Sequence, residues 1–327
     1  MKNEEAYITE CLLSILQQSS DLFQIEIIVV DDHSTDRSKE LCIHLANADN
    51  RIKYFPNFGK GTLEALQTAA QHARGEFISR MDADDLMPAN KLQNLFVALQ
   101  EQPQCDLSTG KVEYFSTGKP LENGFVQYQN WLNDVAMQGA FYTEIYKECT
   151  VASPNWLIRR EAFLSSGGFE ALQYPEDYDL VFRWKKHQFQ IAFVDEVTHL
   201  WRDHHNRASR NLDWYADNRF LELKLQRFLE QDYHPSYKLS VLGAGKKGKA
   251  VAKWLIDHSV PFDWYSNNLR KTQVPIYHQH LKHWEPSSPE WEGLLLIAVS
   301  SPHDLAVLRN QINASSDLQL SDCFFLF

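Results

Sequence analysis

The chain has 327 residues, a formal net charge of −11 and an aromatic share of 13%. Such a length calls for one large or two modest domains, and the acidic balance argues against a nucleic-acid partner, because no basic surface is available to displace counterions from phosphates. Five scattered cysteines (Cys11, Cys42, Cys105, Cys149, Cys323) without CxxC spacing point to a reducing compartment and no structural zinc, and no apolar run is long enough to span a bilayer, which leaves at most peripheral membrane contact.

In chain order, "NEEAYITECLLSILQQS" places Ile8, Cys11, Leu12 and Ile15 on one helical face, with Asn3 as a candidate cap. Ile25–Val30 is a β-branched run that stops at Asp31 and Asp32, and a continuous apolar run reads as a strand buried on both faces. A helix is expected from about Thr35. After the turn "NFGKG", a helix over "TLEALQTAAQHA" closes at Gly75 as its C-cap. "EFISRM" is a second buried strand, followed by Asp82, Asp84 and Asp85, and Pro88 suits the first turn of the next helix, whose face carries Leu92, Leu95, Phe96 and Leu99. This alternation of strands and helices predicts an α/β fold with a mainly parallel sheet and helices on both faces.

Ligands in such sheets bind beyond the carboxyl ends of the strands, where both acidic clusters stand. Carboxylates this close repel by about 1 kcal/mol per pair even in water, so something positive is expected beside them. Asp85 reads as a helix cap, and Asp32 reads equally as a helix start or a ligand-binding group. Asp82 and Asp84 are not needed for capping. A divalent cation, Mg or Mn, fits them, since hard ions choose carboxylate oxygens and share them with substrate phosphates. The aromatic middle of the chain, up to "ECTVASP", reads equally as a binding surface or as core. "NWLIRREAFLSSGGF" is strand, short helix and a Gly167-Gly168 stop. "YPEDYDLVFRWKKH" opens a helix at Glu176-Asp177, where acidic residues complement the helix dipole. "FQIAFV" is a strand and "HLWRDHHNRASR" a polar loop.

The segments "VVDDHSTD", "NFGKG", "GEFISRMDADD", "RREAFLSSGGF", "PEDYDLVFRW" and "WRDHHNRAS", in this order, resemble the inverting glycosyltransferases of family 2, which have the GT-A fold. The resemblance implies that Asp32 accepts a hydrogen bond from the nucleotide base. It implies that Asp82 contacts the ribose or a metal-bound water, and that Asp84 binds the divalent ion bridging the diphosphate. Asp177 would be the general base, with Glu176 beside it in the donor pocket. Arg202 and His204 would complete the diphosphate and metal site, with His205 as the alternative. The implied partners are a nucleoside-diphosphate sugar, most plausibly a UDP-sugar, and a glycan or lipid-linked glycan acceptor. The implied setting is cell-surface polysaccharide or glycoconjugate synthesis in the cytoplasm or at the inner face of the membrane, and self-association is compatible with it. Members of the family usually carry a β-strand and a Pro-x-Tyr-Asn stretch ahead of "NEEAYI". Here Met1-Lys2-Asn3 stands in that place, so a gap or a substitute segment is expected beside Ile25–Val30.

The domain boundary is expected near residue 232, with a GT-A domain over 1–232 and a small Rossmann-like domain over 233–327. In the latter, "KLSVLGAGKKGKAVAKWLIDH" carries Gly243, Gly245 and Gly248 in the G-x-G-x-x-G spacing of a nucleotide loop. The next strand, "PFDWYSNN", ends in Ser266-Asn267 where an acidic residue would hold a ribose, so the glycines read rather as tight strand–helix packing. Competing functional classes are a metal-dependent sugar transferase, a non-catalytic sugar-nucleotide binder, and a nucleotide sensor acting through the glycine loop.

Overall fold

The computed structural model describes all residues except 19, 119, 171–174, 206, 208–219, 286–292 and 315–317. The chain divides into two compact units, one formed by Met1–Phe141 and Thr150–Arg207, the other by Tyr142–Cys149 and Ala208–Phe327. Both are α/β, with mainly parallel sheets flanked by helices.

In the first unit, β1 (Ile27–Asp31) pairs in parallel with β2 (Ile52–Pro56). A four-stranded sheet follows the order β3 (Phe77–Ser79), β5 (Trp156–Arg159), β4 (Leu107–Ser116), β6 (Ile191–Asp203). There β5 runs antiparallel to both neighbours, while β4 and β6 are parallel, with a register shift around Gly110–Val112. The apolar stripe of α1 (Ile8–Leu16) buries Ile8, Cys11, Leu12 and Ile15 against Ile27, Val29, Cys42 and Ile52. Cys42 comes from α2 (Ser38–Ala48), and α3 (Thr62–His72) packs on β1. Leu95 and Leu99 of α4 (Lys91–Glu101) pack with Leu107 and Leu157 in the interior of the larger sheet's unit. The helix α5 (Asn123–Met137) substitutes for a strand along part of β4. Asn133 donates to Val112 O and accepts from Val112 N, and Gln129 Oε1 accepts from Tyr114 N. Two further helices, α6 (Arg160–Ser165) and α7 (Glu176–Lys186), close the unit.

In the second unit, after α8 (Leu221–Gln231), five parallel strands take the order β11-β10-β7-β8-β9. They are β7 (Leu239–Leu242), β8 (Asp263–Ser266), β9 (Lys282–His283), β10 (Leu294–Ile297) and β11 (Cys323–Phe325). The helices α9 (Lys246–Asp257), α10 (Leu269–Thr272) and α11 (Pro302–Asn313) connect them. Leu242, Leu295, Ile297, Leu308, Ile312 and Phe325 form this unit's core.

Several sequence expectations are corrected. Asn3 does not cap α1; its side-chain oxygen accepts from Thr35 N, and the helix begins after Tyr7. The helix expected from Thr35 starts at Ser38, because Asp36 first turns the chain by accepting from Ser38 N. Gly75 is not a C-cap: α3 ends into extended Ala73, and the N–H groups of Arg74 and Gly75 instead donate to Glu26 Oε1. Pro88 precedes the first turn of α4, which starts at Lys91. The polar loop expected from His199 is strand as far as Asp203, because its polar side chains find buried partners described below.

Only Met1 bonds to the second edge of β1 among the described residues. Its α-amino group donates to Val30 O at 2.8 Å, and its carbonyl accepts from Asp32 N at 2.9 Å, which is the alternation of a parallel ladder. Among the described residues, strand β3 likewise pairs on one side, with β5. The strand expected over Ile25–Val30 runs over Ile27–Asp31, and among the described residues it has a strand on one side, β2, and Met1 alone on the other. An apolar, β-branched segment fused ahead of Met1 is expected to continue this ladder and to raise Tm and nucleotide affinity together, since open strand edges carry unmet hydrogen-bonding groups. Calorimetry that finds Tm unmoved by such extensions would show that the edge does not accept a strand.

Candidate active site

Two aspartates leave β1 in different directions. Asp31 accepts from Ser34 N at 3.2 Å and from the Tyr54 hydroxyl at 3.1 Å. Asp32 is buried at the carboxyl end of the strand, and its Oδ1 accepts from Asn57 Nδ2 at 2.8 Å and from Gly61 N at 2.9 Å. Its Oδ2 faces Lys2 Nζ at 3.4 Å. Burial alone would raise the Asp32 carboxyl, but the Gly61 amide, Asn57 and Lys2 together hold it below the usual range. Asp32 is thus no helix start; it organises the "NFGKG" turn.

The acidic loop after β3 is held by arginines from two directions. Arg80 Nε donates to Asp82 Oδ1 and Arg80 Nη1 to Glu176 Oε1, each at 3.0 Å. One guanidinium therefore ties the loop to the first turn of α7, where Asp177 stands. Burial works against the Arg80 charge, yet Asp82, Glu176 and Asp177 more than offset it. The same cation holds the Asp82 carboxyl low in spite of burial. Asp177 is pushed up to about 7 by burial and by Glu176, against the pull of Arg80.

The second arginine is Arg202, at the end of β6. Its Nε donates to Asp84 O at 2.7 Å and its Nη2 to Glu10 Oε2 at 2.6 Å. The guanidinium lies between the rings of Tyr7 and Phe115, 4.9 and 4.7 Å from their centroids. Two residues on, His204 Nε2 meets Asp84 Oδ2 at 2.9 Å, and its ring lies 4.7 Å from that of Tyr7. His205, the alternative, is exposed. Asn206, Ala208 and Ser209 of the same stretch lie outside the described residues. Asp85 is no helix cap: Oδ1 accepts from Arg202 N at 2.8 Å, and Oδ2 lies 2.9 Å from His199 Nε2.

The fit of a divalent cation can be read from these groups. Burial and the neighbouring Asp85 and Asp82 push the Asp84 carboxyl up, so its negative charge is under-compensated. His204 Nδ1 is buried with no hydrogen-bond partner among the described residues. The hydrogen-bond contact of Asp84 Oδ2 with His204 Nε2 puts an oxygen and a nitrogen side by side, groups that one small cation could share in place of the proton. Among the described residues no three His, Cys, Asp or Glu side chains converge as a metal cage. A cation here would be held by Asp84 and His204, with remaining positions left to phosphate oxygens and water, the arrangement magnesium commonly adopts.

Sequence reasoning missed Arg80, Lys2, Asn57 and Arg207. The signal for Arg80 was available, as a lone cation inside the apolar run that leads into the aspartates. Arg207 lies over Tyr114 and Trp201, at 5.0 and 5.6 Å, and the charges of Asp85 and Asp84 help to raise its pKa.

The glycine loop of the second unit is tightly packed. A side chain at Gly248 would come within 2.1 Å of Gly243 O, and one at Gly243, whose φ is +121°, within 2.7 Å of Ala298 O. Gly245 has open space around it, but Lys271 Nζ donates to the neighbouring Ala244 O at 2.7 Å. At the end of β8, Ser266 Oγ accepts from Asn268 N, and Asp263 at its start pairs with Lys238 and Lys282.

Residues 1–165 match the family model described as "Glycosyl transferase family 2". Among curated relatives, a glycosyltransferase GlyG of Streptococcus pneumoniae is 27% identical over 66% of this chain and 73% of its own length. A probable glycosyltransferase, YdaM of Bacillus subtilis, is 25% identical over 68% of this chain, which spans 54% of that relative. Among solved structures, S. aureus TarS 1-349 in complex with UDP-GlcNAc superposes with a TM-score of 0.53 at 18% identity, over 72% of this chain and 66% of that one, a likeness of fold.

Removal of Arg80 tests the electrostatic frame. Arg80→Met leaves the buried Glu176 and the half-buried Asp82 without their shared cation, which is expected to cost up to about 3 kcal/mol of unfolding free energy, solvent screening of Asp82 holding it at the low end for a broken buried pair. A urea titration showing little loss would mean that the carboxylates are compensated elsewhere.

Proposed function

Because the chain belongs to glycosyl transferase family 2, we propose that it moves a sugar from a nucleoside-diphosphate sugar, a UDP-sugar in the first instance, to an acceptor hydroxyl with inversion at the anomeric carbon. One observation carries this reading: a largely covered arginine, Arg80, joins the Asp82–Asp84 loop to the start of α7, so that the candidate donor site and the candidate base belong to one electrostatic unit.

In this reading Asp32 takes the base of the donor, with Oδ1 fixed by Asn57 and Gly61 and Oδ2 left facing Lys2. Asp82 and Glu176, held by Arg80, line the donor pocket. Asp84 and His204 would hold the divalent cation, which when bound supplies positive charge to the diphosphate. Arg202 keeps the Asp84 backbone in place, and Arg207 adds positive charge near the same carboxylates. Charge developing on a leaving diphosphate is stabilised by cations already oriented for it, without reorganisation at the moment of reaction. Asp177 accepts the proton of the acceptor hydroxyl as that oxygen attacks from the face opposite the leaving group. One positioned base suffices, whereas inverting hydrolysis needs a separate acid and base.

The acceptor is a glycan or lipid-linked glycan, in cell-surface polysaccharide or glycoconjugate synthesis at the inner face of the membrane. Among the described residues no helix is long and apolar enough to cross a membrane, so contact with a lipid-linked acceptor would be peripheral. The glycines at 243, 245 and 248 are assigned to strand–helix packing rather than to a second nucleotide, on the crowding between Gly243 and Gly248.

Two measurements test the assignment. Asp84→Asn is expected to abolish manganese-dependent nucleotide binding in a folded protein; titration calorimetry with UDP that finds unchanged metal-dependent affinity would remove Asp84 from the site. Asp177→Asn is expected to spare donor binding and to lower turnover by roughly 10²–10⁴-fold or more. The base works only when ionised. With its carboxyl at about 7, turnover of the unaltered chain should rise with pH up to about 7 and level off above it. A rate independent of pH between 5 and 8 would count against Asp177 as base.

A further inference from the structure

Asp85 follows Asp84 directly, yet neither of its oxygens is free for a ligand. Oδ1 accepts from Arg202 N at 2.8 Å, and Oδ2 lies 2.9 Å from His199 Nε2. On the far side of the imidazole, His199 Nδ1 lies 3.4 Å from Lys91 Nζ, which also donates to Pro154 O at 2.7 Å. Asp85, His199 and Lys91 are 2%, 0% and 1% exposed. The direction of this chain follows from its chemistry. Burial pushes the Lys91 amine down to about 7, yet charged or neutral it has hydrogens to donate; with Nζ donating, Nδ1 accepts, and Nε2 carries the proton it donates to Asp85. Burial and the nearby Lys91 keep the imidazole neutral, as that tautomer requires.

Stability alone explains such an arrangement poorly. Buried charged groups are often replaced by apolar side chains of similar volume at no loss. What this one does geometrically is specific. Asp85 grips the backbone of Arg202. The side chain of Arg202 grips Asp84 O, and His204, two residues further along the same strand end, meets Asp84 Oδ2. Next to it, Leu86 and Leu200 exchange two backbone hydrogen bonds of 3.1 Å. The end of β6 and the acidic loop are thereby joined at successive points, and Asp85 is the innermost side-chain link.

We propose that Asp85, backed by His199 and Lys91, is a positioning residue for cation binding, which fixes the end of β6 against the acidic loop so that Asp84 and His204 face one shared point. The inference rests on the reading of Asp84 and His204 as the cation's ligands. Partners one step behind a metal ligand typically contribute about 10–100-fold to metal affinity.

The test uses the full chain without donor and follows Mn2+ binding by electron paramagnetic resonance, with circular dichroism and Tm recorded in parallel. Asp85→Asn keeps an acceptor for Arg202 N but loses the carboxylate facing His199, and its Kd for Mn2+ is expected to rise about 10-fold or more. His199→Gln can still donate to Asp85 and should bind Mn2+ close to the unaltered chain, while His199→Leu should lose affinity as Asp85→Asn does. Folded Asp85→Asn that binds Mn2+ as tightly as the unaltered chain overturns the inference, however far its Tm falls, because a fall in Tm alone is what core packing would give. If Asp85→Asn does not fold, the His199 pair decides: equal affinity in the Gln and Leu variants overturns it. Failure of the unaltered chain to bind Mn2+ overturns the cation reading and this inference with it, whereas equal binding by all four proteins overturns this inference alone.

Discussion

Negative charge crowded at the end of β3 governs the architecture of the first unit. Asp82, Asp84 and Asp85 fall within four positions, and Glu176 and Asp177 reach the same region from α7. At an interior dielectric lower than water, such a group of carboxylates cannot all remain ionised without cations. Two kinds of compensation are built in. Arg80 serves Asp82 and Glu176 directly, and Arg202 and Arg207 add charge from β6 and just beyond it. Burial and like charge nevertheless push the Asp85 and Asp177 carboxyls up to about 7 and raise that of Asp84 as well, and Asp84 stands next to an imidazole whose other nitrogen has no partner among the described residues. The cations thus hold Asp82 low and leave Asp84 and Asp85 raised.

This distribution explains why β6 is so long. A strand that ended at Val194, where its apolar run ends, would deliver neither Arg202 nor His204 to the acidic loop. Its continuation is polar, and a polar strand in a protein interior survives only when each side chain finds a partner. Thr198 donates to Asn155 Oδ1, His199 to Asp85, and Arg202 to Asp84 O and Glu10. The strand and the acidic loop therefore depend on each other: the backbone ladder to β4 carries β6 as far as Asp203, and the side-chain bonds of Thr198, His199 and Arg202 let its polar residues stay buried there.

The fold class was legible from the sequence because it rests on period and composition. The α1 stripe and the helix opening at Glu176 appear where the pattern placed them; the first strand is shifted to Ile27–Asp31, and the second, read over "EFISRM" as buried, is only Phe77–Ser79 and half-buried. The errors share a cause. Asn3, Asp85 and Gly75 are residue types with a strong local use, as caps, and each is committed instead to a partner far along the chain: Asn3 to Thr35, Asp85 to His199 and Arg202, and the Gly75 amide to Glu26. Propensity describes what a residue does when nothing distant competes for it. Reading 199–203 as loop failed for the same reason, since hydrophilicity was taken as exposure when it marked buried pairing.

The two glycine-bearing turns make the same point about function. In the first unit, Gly61 stands before α3 at a φ of +103° and turns its N–H to a buried carboxylate, Asp32. In the second, Gly243 also has a positive φ, but its carbonyl is occupied by Trp264 Nε1 and a Cβ on it would strike Ala298 O. Both are glycines for a steric reason. The first turns toward a buried carboxylate, whose other oxygen accepts from Lys2 Nζ at 3.4 Å. A glycine pattern shows that backbone must come close to something. The chemistry facing it decides what that something is: a carboxylate, Asp32, before α3, and the backbone of Ala298 and the indole of Trp264 around Gly243.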